Sequence, residues 1–88
     1  MKIIRIECIA ENGFHARPAA LIAKCAKEYA SRTFLINDEN GKRADARSVT
    51  SVMTLGVKKG TNICIESSGA DENEAAMAMA ELIARIDK

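Results

Sequence analysis

The chain has 88 residues, a formal net charge of +1 and 28% charged side chains. That length suits one small domain, and the hydrophobic content of 48% excludes a disordered chain. Near-neutral charge with only 3% aromatic residues excludes a strong field for nucleic acid and a stacking surface for single strands. No apolar run approaches the roughly 20 residues of a membrane span. The opening MKIIRIECIAENG is broken by Arg5 and Glu7 and does not read as a signal peptide, so a cytoplasmic protein is expected. Cys8, Cys25 and Cys64 are scattered, odd in number and without a C-x-x-C pair. They support neither a disulfide framework nor a zinc site, and read as three small buried or half-buried thiols.

The elements follow in chain order. In IIRIECI, Ile4, Ile6 and Cys8 share one face and Arg5 and Glu7 the other, the pattern of a half-buried strand. ARPAALIAKCAKEYA predicts the first helix. Ala16, Ala19, Ala20, Ala23 and Ala26 recur at helical spacing, and Pro18 is tolerated because it lies in the first turn. RTFLIND reads as a strand, Asn40-Gly41 as a tight hairpin turn and KRADA as the short return strand. In SVTSVMTLG, Ser48 is an N-cap, Val49, Val52 and Met53 form an apolar side, and Gly56 ends the turn. TNICIESS alternates, with Ile63 and Ile65 together and Asn62 and Glu66 opposite. ADENEAAMAMAELIARI is the strongest helix. Asp71 with Glu74 reads as a capping box, and Ala75, Ala76, Met79, Ile83 and Ile86 form its apolar stripe. The order β-α-β-β-α-β-α, with strands of alternating polarity, predicts a single two-layer α/β domain over 1–88: an antiparallel sheet covered by helices on one face.

One stretch carries chemistry. GFHARPAAL holds the only histidine and the only proline of the chain, where the first helix begins. His15 therefore lies near opening backbone N–H groups, which with the helix dipole form an anion site worth ~0.3–2 kcal/mol. Arg17 adds a fixed charge and several donors suited to phosphate oxygens. A neutral imidazole at this position would be able to attack phosphorus. Once phosphorylated, the same groups would neutralise the product. No glycine-rich nucleotide loop and no Mg²⁺-binding carboxylate set is evident. The domain would then be a covalent carrier rather than a turnover enzyme, taking phosphate from one protein and passing it to another. The residues alone leave other readings open: His15 as a helix cap, Arg17 as a solvated surface residue, or both as holders of a metabolite anion in a small-ligand domain.

GFHARPAAL, NGK, RSVTSVMTLGVKKG and SSGADENEA together resemble HPr, the histidine-containing phosphocarrier family of the bacterial phosphoenolpyruvate:sugar phosphotransferase system. The resemblance spans almost the whole chain. It implies a sheet of order 1-4-2-3, phosphorylation of His15 at Nδ1, phosphate stabilisation by Arg17, enzyme I as donor and enzyme IIA proteins as acceptors leading to sugar uptake. It implies no metal and no cofactor, and a monomer is the simplest carrier.

Arg17, Ala20, Lys24 and Lys27 make one stripe of the first helix, and Val49 and Met53 an apolar side of the second. By resemblance these helices pack near His15 and, with Ala16 and Thr50, form the docking surface. An apolar centre with a basic rim suits brief encounters with acidic partners. An ordinary wet helix face and plain core packing are the competing readings of these residues. Ser48 aligns with the serine that a dedicated ATP-dependent kinase modifies in many relatives, while its plain reading is an N-cap. A second functional reading is a regulatory module acting through Ser48 and a transcription factor. Two departures stand out. Thr50 occupies a place where many relatives carry Met or Phe, which bears on transcriptional co-repression. The INDEN segment is slightly longer than in common relatives, which should lengthen the hairpin and leave the phosphorylation site alone.

Overall fold

The computed structural model describes residues 1–86. Strands β1 (Lys2–Glu7), β2 (Arg32–Asn37), β3 (Arg43–Asp45) and β4 (Asn62–Ser68) alternate with helices α1 (Ala16–Lys27), α2 (Val49–Met53) and α3 (Glu72–Arg85). The strands form one antiparallel sheet of order β1-β4-β2-β3. Register explains the two faces. Ile4 pairs with Ile65, Ile65 with Leu35 and Leu35 with Ala44, a row turned toward the helices. One residue along, Ile3, Glu66, Phe34 and Asp45 form the neighbouring row on the uncovered face. Strict alternation in a sheet covered on one side produces this split.

The core is aliphatic. Ile22 of α1, Val52 of α2 and Met79 and Ile83 of α3 pack over Leu35, Ile63 and Ile65. The predicted apolar stripe is buried throughout: Ala75, Ala76, Met79 and Ile83 within α3, and Ile86 at its C-cap. The three thiols are free, Cys8 and Cys64 buried and Cys25 half-buried. Burial pushes each of them above the usual thiol value. Cys64 lies on the uncovered face, paired with Arg5 and Ile36, yet is only 4% exposed, because larger neighbours cover it. Among the described residues, no helix is long and apolar enough to cross a membrane.

Three local expectations are corrected. The connection of β2 and β3 is not a two-residue turn at Asn40-Gly41. Asn37 N–H donates to Lys42 O and Gly41 N–H to Asn37 O, so residues 38–41 form a four-residue loop. The INDEN segment, residues 36–40, runs from the end of β2 into this wider turn. Asp71 is the N-cap of α3 by position, but its side chain makes no capping bond. Its carboxylate instead accepts from the backbone N–H groups of Ala30 and Ser31 and from the Ser31 hydroxyl. The start of α3 is thereby tied to the α1–β2 connection, a long-range competitor that a local capping pattern does not reveal. Finally, α1 stops at Lys27, with Glu28 as its C-cap, short of Ala30.

Candidate functional site

His15 is the N-cap residue of α1, with extended backbone (φ −79°, ψ −170°). Its carbonyl accepts the Ala19 N–H at 3.0 Å, the first intrahelical bond. Its imidazole makes no capping hydrogen bond and is exposed, so the plain helix-cap reading does not describe what the ring does. Pro18 has no N–H, so the donors that open this helix are the backbone N–H groups of Ala16 and Arg17. The first turn of α1 contains no acidic residue, whereas α3 begins with Glu72 and Glu74. No carboxylate of its own first turn offsets the positive end of the α1 dipole, and Lys24 and Lys27 sit at the opposite end, where cations belong.

Arg17 is exposed on the same first turn. The stripe continues as expected, with Ala20, Lys24 and Lys27 all exposed along α1, and Ala16 exposed beside His15. Leu21, 36% exposed, adds an apolar side chain that the sequence reading passed over. α1 packs against α2. On α2, Met53 is 45% exposed and Thr50 exposed, while Val49 is half-buried against the core. The three are thus not equivalent: Val49 divides its surface between core and solvent, and Met53 is the protruding apolar group.

Ser48 is the N-cap of α2, its Oγ accepting the Ser51 N–H at 3.2 Å. The N-cap reading is correct, and Ser48 is half-buried. The preceding Arg47 donates to the Tyr29 carbonyl at 3.0 Å, tying the start of α2 to the end of α1.

The segment before His15 is firmly seated. Phe14 is 4% exposed. Cys8 N–H donates to Thr61 O, Gly60 N–H to Cys8 O and Gly13 N–H to Ala10 O. Lys59 Nζ meets Glu11 Oε1 at 2.7 Å, which draws the Glu11 carboxyl below and the Lys59 ammonium above their usual ranges. Hydrophobic periodicity reveals none of these ties, since they join loops.

The comparisons agree with this geometry. Residues 4–85 match the family model described as the PTS HPr component phosphorylation site. Among solved structures, HPr-C-His from Thermoanaerobacter tengcongensis is 37% identical with a TM-score of 0.87, over 96% of this chain and 92% of that one. The phosphocarrier protein HPr of Bacillus anthracis is 33% identical with a TM-score of 0.86, over 93% and 95%. The catabolite repression protein Crh of Bacillus subtilis, solved as a swapped dimer, is 34% identical with a TM-score of 0.75, over 96% and 94%. With a family match over nearly its whole length and the same four-stranded, three-helix open sandwich, the chain belongs to the HPr family of phosphocarriers of the phosphotransferase system.

Proposed function

We propose that this chain, acting as one domain over 1–88, carries a phosphoryl group on His15 Nδ1 from phosphorylated enzyme I to enzyme IIA proteins. The observation that carries this reading is the exposed imidazole at the N-cap of α1, beside an exposed arginine and with no acidic residue in the first turn. In the forward step the imidazole lone pair forms the N–P bond while the bond to the donor breaks, its electron pair staying with the donor. Arg17 and the opening amides of α1 hold the phosphoryl oxygens. The reverse displacement on an acceptor empties the carrier, and the step needs neither metal nor nucleotide. Weak docking through Ala16, Arg17, Ala20, Lys24, Lys27, Val49, Thr50 and Met53 lets each partner leave. The setting is the cytoplasm, and the working form is a monomer.

A mass gain of one phosphate on incubation with phosphoenolpyruvate and cognate enzyme I, acid-labile and absent from His15→Ala, is the expected result. No gain with an active enzyme I sinks the carrier reading and leaves a regulatory module or an anion-binding domain. The regulatory reading is favoured by one observation, the half-buried Ser48 at the start of α2 beside the docking face. A phosphate added there by a serine kinase, and removed by its phosphorylase, places about −2 charge where acidic partners dock. Ser48→Asp then slows acceptance from enzyme I. An unchanged rate removes this form of control.

A further inference from the structure

Gly13 lies two residues before His15 with φ +65°, a left-handed conformation that favours glycine. Its surroundings exclude a side chain more strongly than its φ does. A β-carbon there would overlap the Val57 carbonyl oxygen and come within 2.9 Å of the Val57 carbonyl carbon and 3.1 Å of Lys58 Cα. The backbone that carries His15 therefore lies directly on Val57 and Lys58, in the strap of residues 55–58 that leaves α2. That strap is itself held. Leu55 is 1% exposed, and its carbonyl accepts two side-chain amides, Asn37 Nδ2 at 2.9 Å and Asn40 Nδ2 at 3.1 Å. Asn37 is only 2% exposed, and its Oδ1 accepts the Glu39 N–H. Asn40 belongs to the four-residue β2–β3 loop, so that loop is joined to the segment that leaves α2.

We infer that Gly13 is a positioning residue for His15, and that it acts by seating the β1–α1 connection on the 55–58 strap, which Asn37 and Asn40 clamp at the Leu55 carbonyl. The inference rests on the carrier reading of His15. A side chain at Gly13 has to lift the connection off Val57, and His15, two residues on at the N-cap of α1, moves with it. Lys24 and Lys27, in the last turn of α1, lie far along the helix from such a shift, so the larger effect falls on the chemical step. A misplacement of about 1 Å costs on the order of 100-fold in a reaction that depends on alignment.

The test compares Gly13→Ala with Gly60→Ala, in phosphate acceptance from enzyme I charged with phosphoenolpyruvate. Gly60 also has a positive φ, +91°, but nothing lies within 4 Å of a β-carbon built there. Gly13→Ala is expected to lower kcat about 10- to 100-fold at nearly constant KM and to move the His15 ring nitrogen resonances at fixed pH. Gly60→Ala is expected to leave both in place. A folded Gly13→Ala with kcat within twofold and unmoved resonances overturns the proposal, as does an equal loss in Gly60→Ala. If Gly13→Ala does not fold, the exposed Asn40→Ala replaces it. Loosening the strap is expected to slow transfer about threefold and shift the same resonances, and no change in either overturns the proposal. A wild-type chain that takes no phosphate sinks the carrier reading separately, and the ring resonances of the variants still decide whether Gly13 aims His15.

Discussion

Arg17 and Lys24 both carry positive charge on exposed positions of α1, but only Arg17 stands in the first turn, where the helix dipole is positive as well. Two like fields converge there, and on the carrier reading this is where the phosphoryl oxygens are held. The planar guanidinium offers paired donors that an ammonium lacks. Arg17→Ala is therefore expected to lower kcat/KM for phosphate acceptance about 100-fold, with Arg17→Lys recovering only part of the loss. Rapid-quench kinetics with enzyme I measures it, and a lysine variant at the wild-type rate would show that charge alone suffices. His15 and Arg17 stood out as candidates in the sequence because residue type and a helix start coincide in one short stretch. Gly13 was less so: its glycine is visible in the sequence, but the Val57 carbonyl that makes it necessary is 44 positions away.

At the scale of the element, α3 shows how a sequence signal can be right about place and wrong about cause. Asp71 does mark the start of the helix, yet its carboxylate serves Ala30 and Ser31. The Ser31 hydroxyl, then the two backbone N–H groups, hold the Asp71 carboxyl below its ordinary value of 3.8. A carboxylate depressed in the folded state contributes stability that is present above its unfolded value and lost as pH falls through the folded one. Asp71→Asn is thus expected to lower Tm at pH 7 and to differ progressively less from wild type below about pH 4, as wild-type Asp71 itself becomes protonated. Thermal melts across that range check it, and a Tm gap constant with pH would remove the linkage. Ser31 is 1% exposed, and a β-carbon on Gly69 would come within 2.8 Å of Ser31 Cα. The tie is therefore part of a close approach between two connections and not a surface ornament.

For the whole molecule, a net charge of +1 conceals an uneven surface. Lys24 and Lys27 lie exposed along α1, and the uncovered sheet face pairs Arg32 with Asp45, Arg43 with Glu66 and Arg5 with Asp38. Paired exposed charges contribute little stability and a weak external field. The basic stripe is what an approaching acidic surface meets. Raising salt from 0.01 M to 1 M, which shortens the Debye length from about 30 Å to 3 Å, is expected to slow association with enzyme I. Lys24→Gln with Lys27→Gln should flatten that dependence. A salt-independent rate would remove electrostatic steering from docking.

The sequence alone determined element type and order and the aliphatic core, and it marked one helix start as the candidate site. Each of these rests on local spacing: period 2 in the strands, period 3.6 in the helices, and proline and histidine at a helix entrance. Tertiary structure decided how those pieces answer one another. Resemblance supplied the strand order, but hydrogen-bonded register was needed to set β4 between β1 and β2 and to put Cys64 under its neighbours. Long-range backbone donors took the Asp71 carboxylate away from its own helix, and loop contacts brought Asn40 to Leu55 and Gly13 to Val57. Those partners are far apart in the chain, so no local pattern encodes their meeting; only closing the sheet and packing the helices over it brings them together.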